Sequence, residues 1–291
     1  MTRVLEPELA TRLAGLTFRA KRTVDGLLAG MHRSPHRGPS AIFKEHRAYR
    51  PGDDPRLIDW RAFARSDRYS IKHFEHETQL RATLALDISP SMHWGSGDIS
   101  KIDHAATLLA ALAYVLTRQG DAVSLITFDE TVRDRLPARS GPAHLDYLMR
   151  TLAEPSRSTR ATALHTALDK LIEQAGRMGL VVIASDLLDL RDDALDPVAR
   201  IQARGHQTIV LHVMDPAELE LPYEQPMHFE GLEGEAPVEV DPRGLRRRYR
   251  EEIDAFVASC QRRVVAAGGR YLLARTDTPP ERTLLRLLRD G

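Results

Sequence analysis

From Leu80 onward, short apolar runs alternate with amphipathic helical stretches, and this rhythm constrains the fold more than any other feature. Ala82–Leu86 reads as a short buried strand ending at Asp87, and Ile102–Thr117 as a helix with Ala105, Leu108, Leu109, Leu112 and Leu116 on one face. Ala122–Phe128 is a strand with a hairpin partner in Thr131–Leu136, followed by helices over His144–Leu152 and Ala163–Ala175. Leu180–Ser185 is a buried strand ending at Asp186, Pro197–Arg204 a helix, and Thr208–Val213 another buried strand. Asp215–Val240 is irregular, acidic and Pro-containing; a helix (Gly244–Ala267), a strand (Arg270–Ala274) and a helix (Glu281–Arg289) complete the pattern. Such alternation predicts an α/β, doubly wound, mostly parallel sheet of Rossmann type over residues 80–291. Residues 1–79 form an N-terminal helical and extended appendage, with a helix over Glu6–Gly30 and turn-rich sequence after it.

In an open parallel sheet, ligands gather at the carboxyl ends of the strands. The first strand of the rhythm ends in Asp87-Ile-Ser89-Pro-Ser91, one carboxylate and two hydroxyls at alternate positions. The strand Leu180–Ser185 ends in Asp186, and Ser158-Thr159-Arg-Ala-Thr162 precedes a helix. Hydroxyl and carboxylate oxygens with few anions suit a hard cation, Mg²⁺ or Mn²⁺, that keeps open positions for water or a partner's carboxylate. The competing expectation is that Asp87, Ser91 and Thr162 only cap helices.

Asp-x-Ser-x-Ser after a buried first strand, a later Thr and a middle-strand Asp resemble the metal-ion-dependent adhesion site of von Willebrand factor A domains. By that resemblance Asp87, Ser89, Ser91, Thr162 and Asp186 are the ligands, Asp186 through water. Arg160-Ala161 stand where that family has glycines, so Thr159 competes with Thr162 for its role. The usual glycine after the middle-strand Asp is replaced by Leu187, with Asp189 nearby as another oxygen source. Upstream, Tyr49-Arg-Pro-Gly-Asp-Asp-Pro-Arg56-x-Ile58-Asp-Trp60-Arg-x-x-Ala64-Arg65 and Ile71-Lys-x-Phe74-Glu-x-Glu77 look like the signature of the bacterial family called domain of unknown function 58. Downstream, Asp215-Pro-Ala-Glu-Leu-Glu-Leu-Pro222 and Phe229-Glu-Gly-Leu232 look like it too. The resemblance implies a non-enzymatic, divalent-metal-assisted protein-interaction module. It further implies an adaptor for a MoxR-type AAA+ ATPase that acts on a client protein.

The chain's formal net charge of zero disfavours a uniformly basic nucleic-acid binder. Locally the balance fails: between Arg19 and Arg50 eight Lys/Arg stand against Asp25 and Glu45. That stretch reads as a solvated face, as a dock for an acidic partner, or as a contact for phosphates of nucleic acid or membrane. Arg56, Arg61 and Arg65, with Trp60 as anchor, are candidates for partner binding; the alternative is that Asp53, Asp54 and Asp59 pair with them internally. A Mg²⁺-dependent phosphoryl-transfer or hydrolytic enzyme is the rival function, but no base or nucleophile with an assignable role accompanies the oxygens. Gly-rich phosphate loops and Gly-x-Ser-x-Gly are absent from the sequence. The single Cys260 excludes an internal disulfide and reads as packed core. The N-terminus lacks a signal-like apolar run and no stretch reaches transmembrane length, so a cytoplasmic protein is expected.

Overall fold

The computed structural model describes residues 7–32, 46–48, 70–72, 80–155, 164–174, 179–188, 193–232 and 236–289. The chain divides into two units, one of Met1–Met31 with Leu80–Gly291, the other His32–Gln79. Of the second unit, the described residues form a two-stranded antiparallel pair, β1 (His46–Ala48) with β2 (Ser70–Lys72). The partner candidates Arg56, Trp60, Arg61 and Arg65 lie outside the described residues, as does most of the basic stretch beyond helix α1.

The first unit is built on a six-stranded sheet in the order β10-β7-β6-β3-β4-β5. Its strands are β3 (Arg81–Asp87), β4 (Ala122–Phe128), β5 (Val132–Arg139), β6 (Leu180–Ser185), β7 (Gln207–Met214) and β10 (Arg270–Arg275). All neighbours pair in parallel except β5, which runs antiparallel to β4 as the expected hairpin. β5 lies at an edge, alternates half-buried and exposed residues and contains Pro137, which lacks the N–H that a central strand needs.

Side chains of successive strand residues project to opposite faces, and the two faces bury different helices. Ala82, Leu84 and Leu86 of β3, Val182 and Ala184 of β6, and Ile209, Leu211 and Val213 of β7 share one core. The helices on that face are α1 (Pro7–His32), α2 (Lys101–Arg118), α3 (Pro142–Ala153) and α8 (Pro280–Arg289). Ala85, Val181, Ile183 and Val210 point the other way, into a core shared with α4 (Leu164–Gln174), α5 (Asp196–Ala203) and α7 (Pro242–Ala266). Cys260 of α7 is buried there, and burial pushes its thiol up to about 11.

Helix α1, read as part of the 1–79 extension, groups with the main unit, and its Leu16, Ala20 and Val24 are buried in the α2–α3 core. Two features differ from the sequence reading. The stretch 215–240, read as irregular, contains α6 (Pro216–Glu220) and the antiparallel pair β8 (Met227–Phe229) with β9 (Val238–Val240). Elements of three to five residues are too short for periodicity to show. β1 also went unread, for the same reason. Among the described residues no helix is long and apolar enough to cross a membrane.

Leu16 is 1% exposed. Leu16→Ala is therefore expected to destabilise the main unit by about 2–5 kcal/mol in chemical denaturation, as for other buried leucines. An unchanged midpoint would mean that α1 contributes nothing to the core.

Candidate functional site

β3 is the first strand of the parallel sheet, and the chain continues to β4 on one side and later to β6 on the other. The crevice beyond the carboxyl ends of β3 and β6 is thus a topological switch point, where doubly wound sheets hold ligands. Asp87 and Asp186 stand at these two ends, both 0% exposed. Ser89 N–H donates to Asp87 Oδ1 at 2.9 Å, and Ser185 Oγ donates to Asp87 Oδ2 at 2.6 Å. Ser89 Oγ and Ser91 Oγ lie 3.1 Å apart. Burial, and then the neighbouring Asp186 carboxylate, push the Asp87 carboxyl up to about 7, although the Ser185 and Ser89 hydrogen bonds oppose the shift.

The expectation that Asp87 and Ser91 cap a helix is not what the structure shows. Ser100 caps α2, its hydroxyl accepting from Asp103 N–H, and the 3-10 turn at Pro90–His93 has no side-chain cap. Asp87 instead ties down its own loop. Asp186 is followed by Leu187 at φ +56°, buried and left-handed. A glycine would adopt that conformation freely, whereas a leucine pays about 1–2 kcal/mol for it. The backbone there is held from two sides: Leu187 N–H donates to Ser185 Oγ, and His212 Nε2 donates to the Asp186 carbonyl while its Nδ1 accepts from Tyr271 Oη–H.

A lysine completes the cluster. Lys101 Nζ lies 2.8 Å from Asp186 Oδ2 and 2.5 Å from Glu218 Oε1, with its side chain 0% exposed. Burial works against the ammonium, but the Asp186 and Glu218 carboxylates outweigh it and hold Lys101 above its ordinary value. Burial raises Glu218 too, against the pull of Lys101. Glu218 is fixed independently, its Oε2 accepting from Asp215 N–H at 3.0 Å in the capping box of α6. Asp215 in turn accepts from Ser96 N–H and Oγ–H and from Thr276 Oγ–H, anchoring the loop that leads into Lys101; these hydrogen bonds hold its carboxyl below the usual range despite burial.

The donor set fits a hard cation. Neighbouring ligands of an octahedral ion at about 2.0–2.1 Å stand roughly 2.9 Å apart, close to the Ser89–Ser91 separation. Thr162 and its competitor Thr159, and Asp189, lie outside the described residues. Ser91 also lines a cavity of about 950 Å³ that runs between α6, α7 and the β8–β9 pair. Trp94, Tyr223, Phe229 and Tyr249 contribute rings to its wall, and Leu232, Val238 and Leu245 stand there partly exposed.

The profile of the family described as protein of unknown function DUF58 matches residues 45–260. The chain belongs to this family. Uncharacterised proteins of Mycobacterium tuberculosis and Mycobacterium bovis are each 30% identical over 276 residues, covering 94% of this chain and 86% of theirs. Among solved structures, an aerotolerance-related membrane protein from Bacteroides fragilis is similar at TM-score 0.50 and 20% identity, over 72% of this chain and 97% of that one. The VWA domain of SpRpn10 is similar at TM-score 0.44 and 9% identity, over 71% of this chain and 94% of that domain. The DUF58 chain is thus an α/β protein built on a mostly parallel sheet, as the sequence pattern led one to expect, and it shares that fold with the Bacteroides fragilis protein.

Of the sequence-expected ligands, the structure brings Asp87, Ser89 and Ser91 together at the end of β3, with Asp186 beside them at the end of β6. Sequence reasoning missed Lys101, Ser185 and Glu218 as members. The available signal was positional: Lys101 opens the helix after the first strand, and Glu218 is the last residue of an Asp-Pro-x-Glu capping box at the end of β7.

Because the folded state holds the Asp87 proton more tightly than the unfolded chain, this group's contribution is full below its ordinary value of 3.8 and is lost as pH rises towards about 7. Asp87→Asn removes that loss. The stability of the variant relative to wild type, measured by denaturant titration in chelator, should rise between about pH 4 and pH 7 and level off above. A pH-independent difference would contradict the burial argument.

Proposed function

We propose that this DUF58 protein is a non-enzymatic protein-interaction module that engages its partner at the carboxyl edge of the sheet, assisted by Mg²⁺ or Mn²⁺. The observation that carries the reading is the placement of the Ser89 and Ser91 hydroxyls, 3.1 Å apart, between a buried Asp87 and the wall of the cavity. Asp87, Ser89, Ser91 and Asp186 would hold the cation, with Thr162 supplied by the resemblance. The cation would contribute positive charge and an open position for a partner's carboxylate. The chain's own residues do the rest. Ser185 and the Ser89 backbone fix the Asp87 carboxylate, and the aromatic wall of the cavity receives the apolar side chains that flank the partner's acid.

From the resemblance drawn in the sequence, we further propose a role as adaptor between a MoxR-type AAA+ ATPase and a client protein in the cytoplasm. The ATPase would supply force, and this chain the grip on the client.

Calorimetry on the full chain is expected to show Mg²⁺ and Mn²⁺ binding that falls at least about tenfold in Asp87→Ala and in Ser89→Ala/Ser91→Ala. Association with the purified MoxR-type ATPase or its client should weaken in parallel when chelator is added. Identical titrations for wild type and Asp87→Ala would sink the cation reading.

A further inference from the structure

Lys101 has no part in that reading, yet it is the buried positive charge bonded to one of the proposed ligands. Its ammonium bridges Asp186, which belongs to the oxygen cluster, and Glu218, which belongs to the cavity wall. We propose that Lys101 is a built-in counter-cation that competes with the divalent ion for Asp186, so that the ion binds only when the ammonium yields that carboxylate and rests on Glu218. The proposal rests on the cation reading of the same edge and adds how the site is kept closed.

Three observations support it. The first is charge. The buried Asp186 and the largely buried Glu218 share the Lys101 ammonium, and the buried Asp87 neighbours Asp186, so the cluster has room for more positive charge but not for two cations at Asp186. A fixed positive charge one carboxylate away repels a divalent ion strongly where solvent does not screen it.

The second is the double attachment. An ammonium with a single acid partner would be left buried and unpaired on release, a heavy penalty. Lys101 has a second partner that stays in place without it, because Glu218 is held by Asp215 N–H. Transfer from a shared position to Glu218 alone is therefore a small movement within one hydrogen-bonded group. Lys101 is also the first residue of α2, and the loop before it is pinned to Asp215 through Ser96, so the backbone need not move.

The third is position. Glu218 lines the cavity beside Ser91 and Trp94, so a partner seated there meets the group on which Lys101 would rest. Partner docking and cation binding then favour the same arrangement of Lys101, a coupling with reciprocal signs.

The alternative, that Lys101 merely orients Asp186 as a ligand, predicts the opposite sign on substitution. Mn²⁺ affinity measured by calorimetry and electron paramagnetic resonance on the full chain decides between them. Lys101→Met, and Lys101→Met/Glu218→Gln, which removes one charge of each sign, should bind Mn²⁺ about tenfold or more tightly than wild type. Glu218→Gln alone leaves the ammonium on Asp186 and should bind severalfold more weakly. The double variant and the opposite-signed Glu218→Gln keep the test available should Lys101→Met fail to fold. Equal or weaker binding by the Lys101 variants overturns the proposal; if wild type still binds and Asp87→Ala does not, the cation reading survives alone. No binding by any variant overturns both. Tight binding by the Lys101 variants where wild type binds detectably but more weakly supports the proposal.

Discussion

Two carboxylates buried side by side at the ends of adjacent parallel strands dominate this structure. Asp87 and Asp186 cannot both carry charge in an apolar crevice without compensation. The surroundings are arranged around that problem. Hydrogen bonds from Ser89 and Ser185 hold Asp87, an ammonium holds Asp186, a further acid steadies the ammonium, and an N-terminal capping box steadies that acid. The parallel sheet supplies the rigid platform, since β3 and β6 pair in register and set their terminal residues beside one another. The chemistry follows from the architecture: a switch point brings together ends that the sequence separates widely.

Much of this was legible in the chain. The βα rhythm gave the doubly wound sheet, because strands buried on both faces must be short and continuously apolar while their helices show one greasy stripe. β4 and β6 coincide with the runs Ala122–Phe128 and Leu180–Ser185, and even the antiparallel edge was visible as a hairpin after Phe128. Asp87, Ser89, Ser91 and Asp186 stood out because polar residues directly after apolar strands have few other reasons to be there. Lys101 and Glu218 did not, because their significance is a distance, 2.8 or 2.5 Å, between residues far apart in sequence. A lysine at the start of a helix reads as exposed until the loop before it is known to fold back onto Asp215. The fate of α1 was hidden for a related reason: an amphipathic stripe reveals that a helix buries one face, not which core receives it.

Leu187 shows where sequence comparison and physics meet. The resemblance marked the missing glycine as a departure, and the structure keeps the left-handed backbone while accepting the leucine. The side chain is buried at 2% exposed, so packing in the second core offsets part of the conformational cost. The loop that presents Asp186 is therefore held by burial on one side and by His212 and Ser185 on the other, rather than by backbone freedom.

The placement of α1 carries one more consequence. Since Met1–Met31 and Leu80–Gly291 belong to the same unit, His32–Gln79 is an insertion joined to that unit at both ends, not a tail. Both ends of its chain are thereby covalently continuous with the main unit. Any grip that another molecule takes on the insertion is transmitted through two covalent attachments, one of which is a helix buried in the core that carries Lys101.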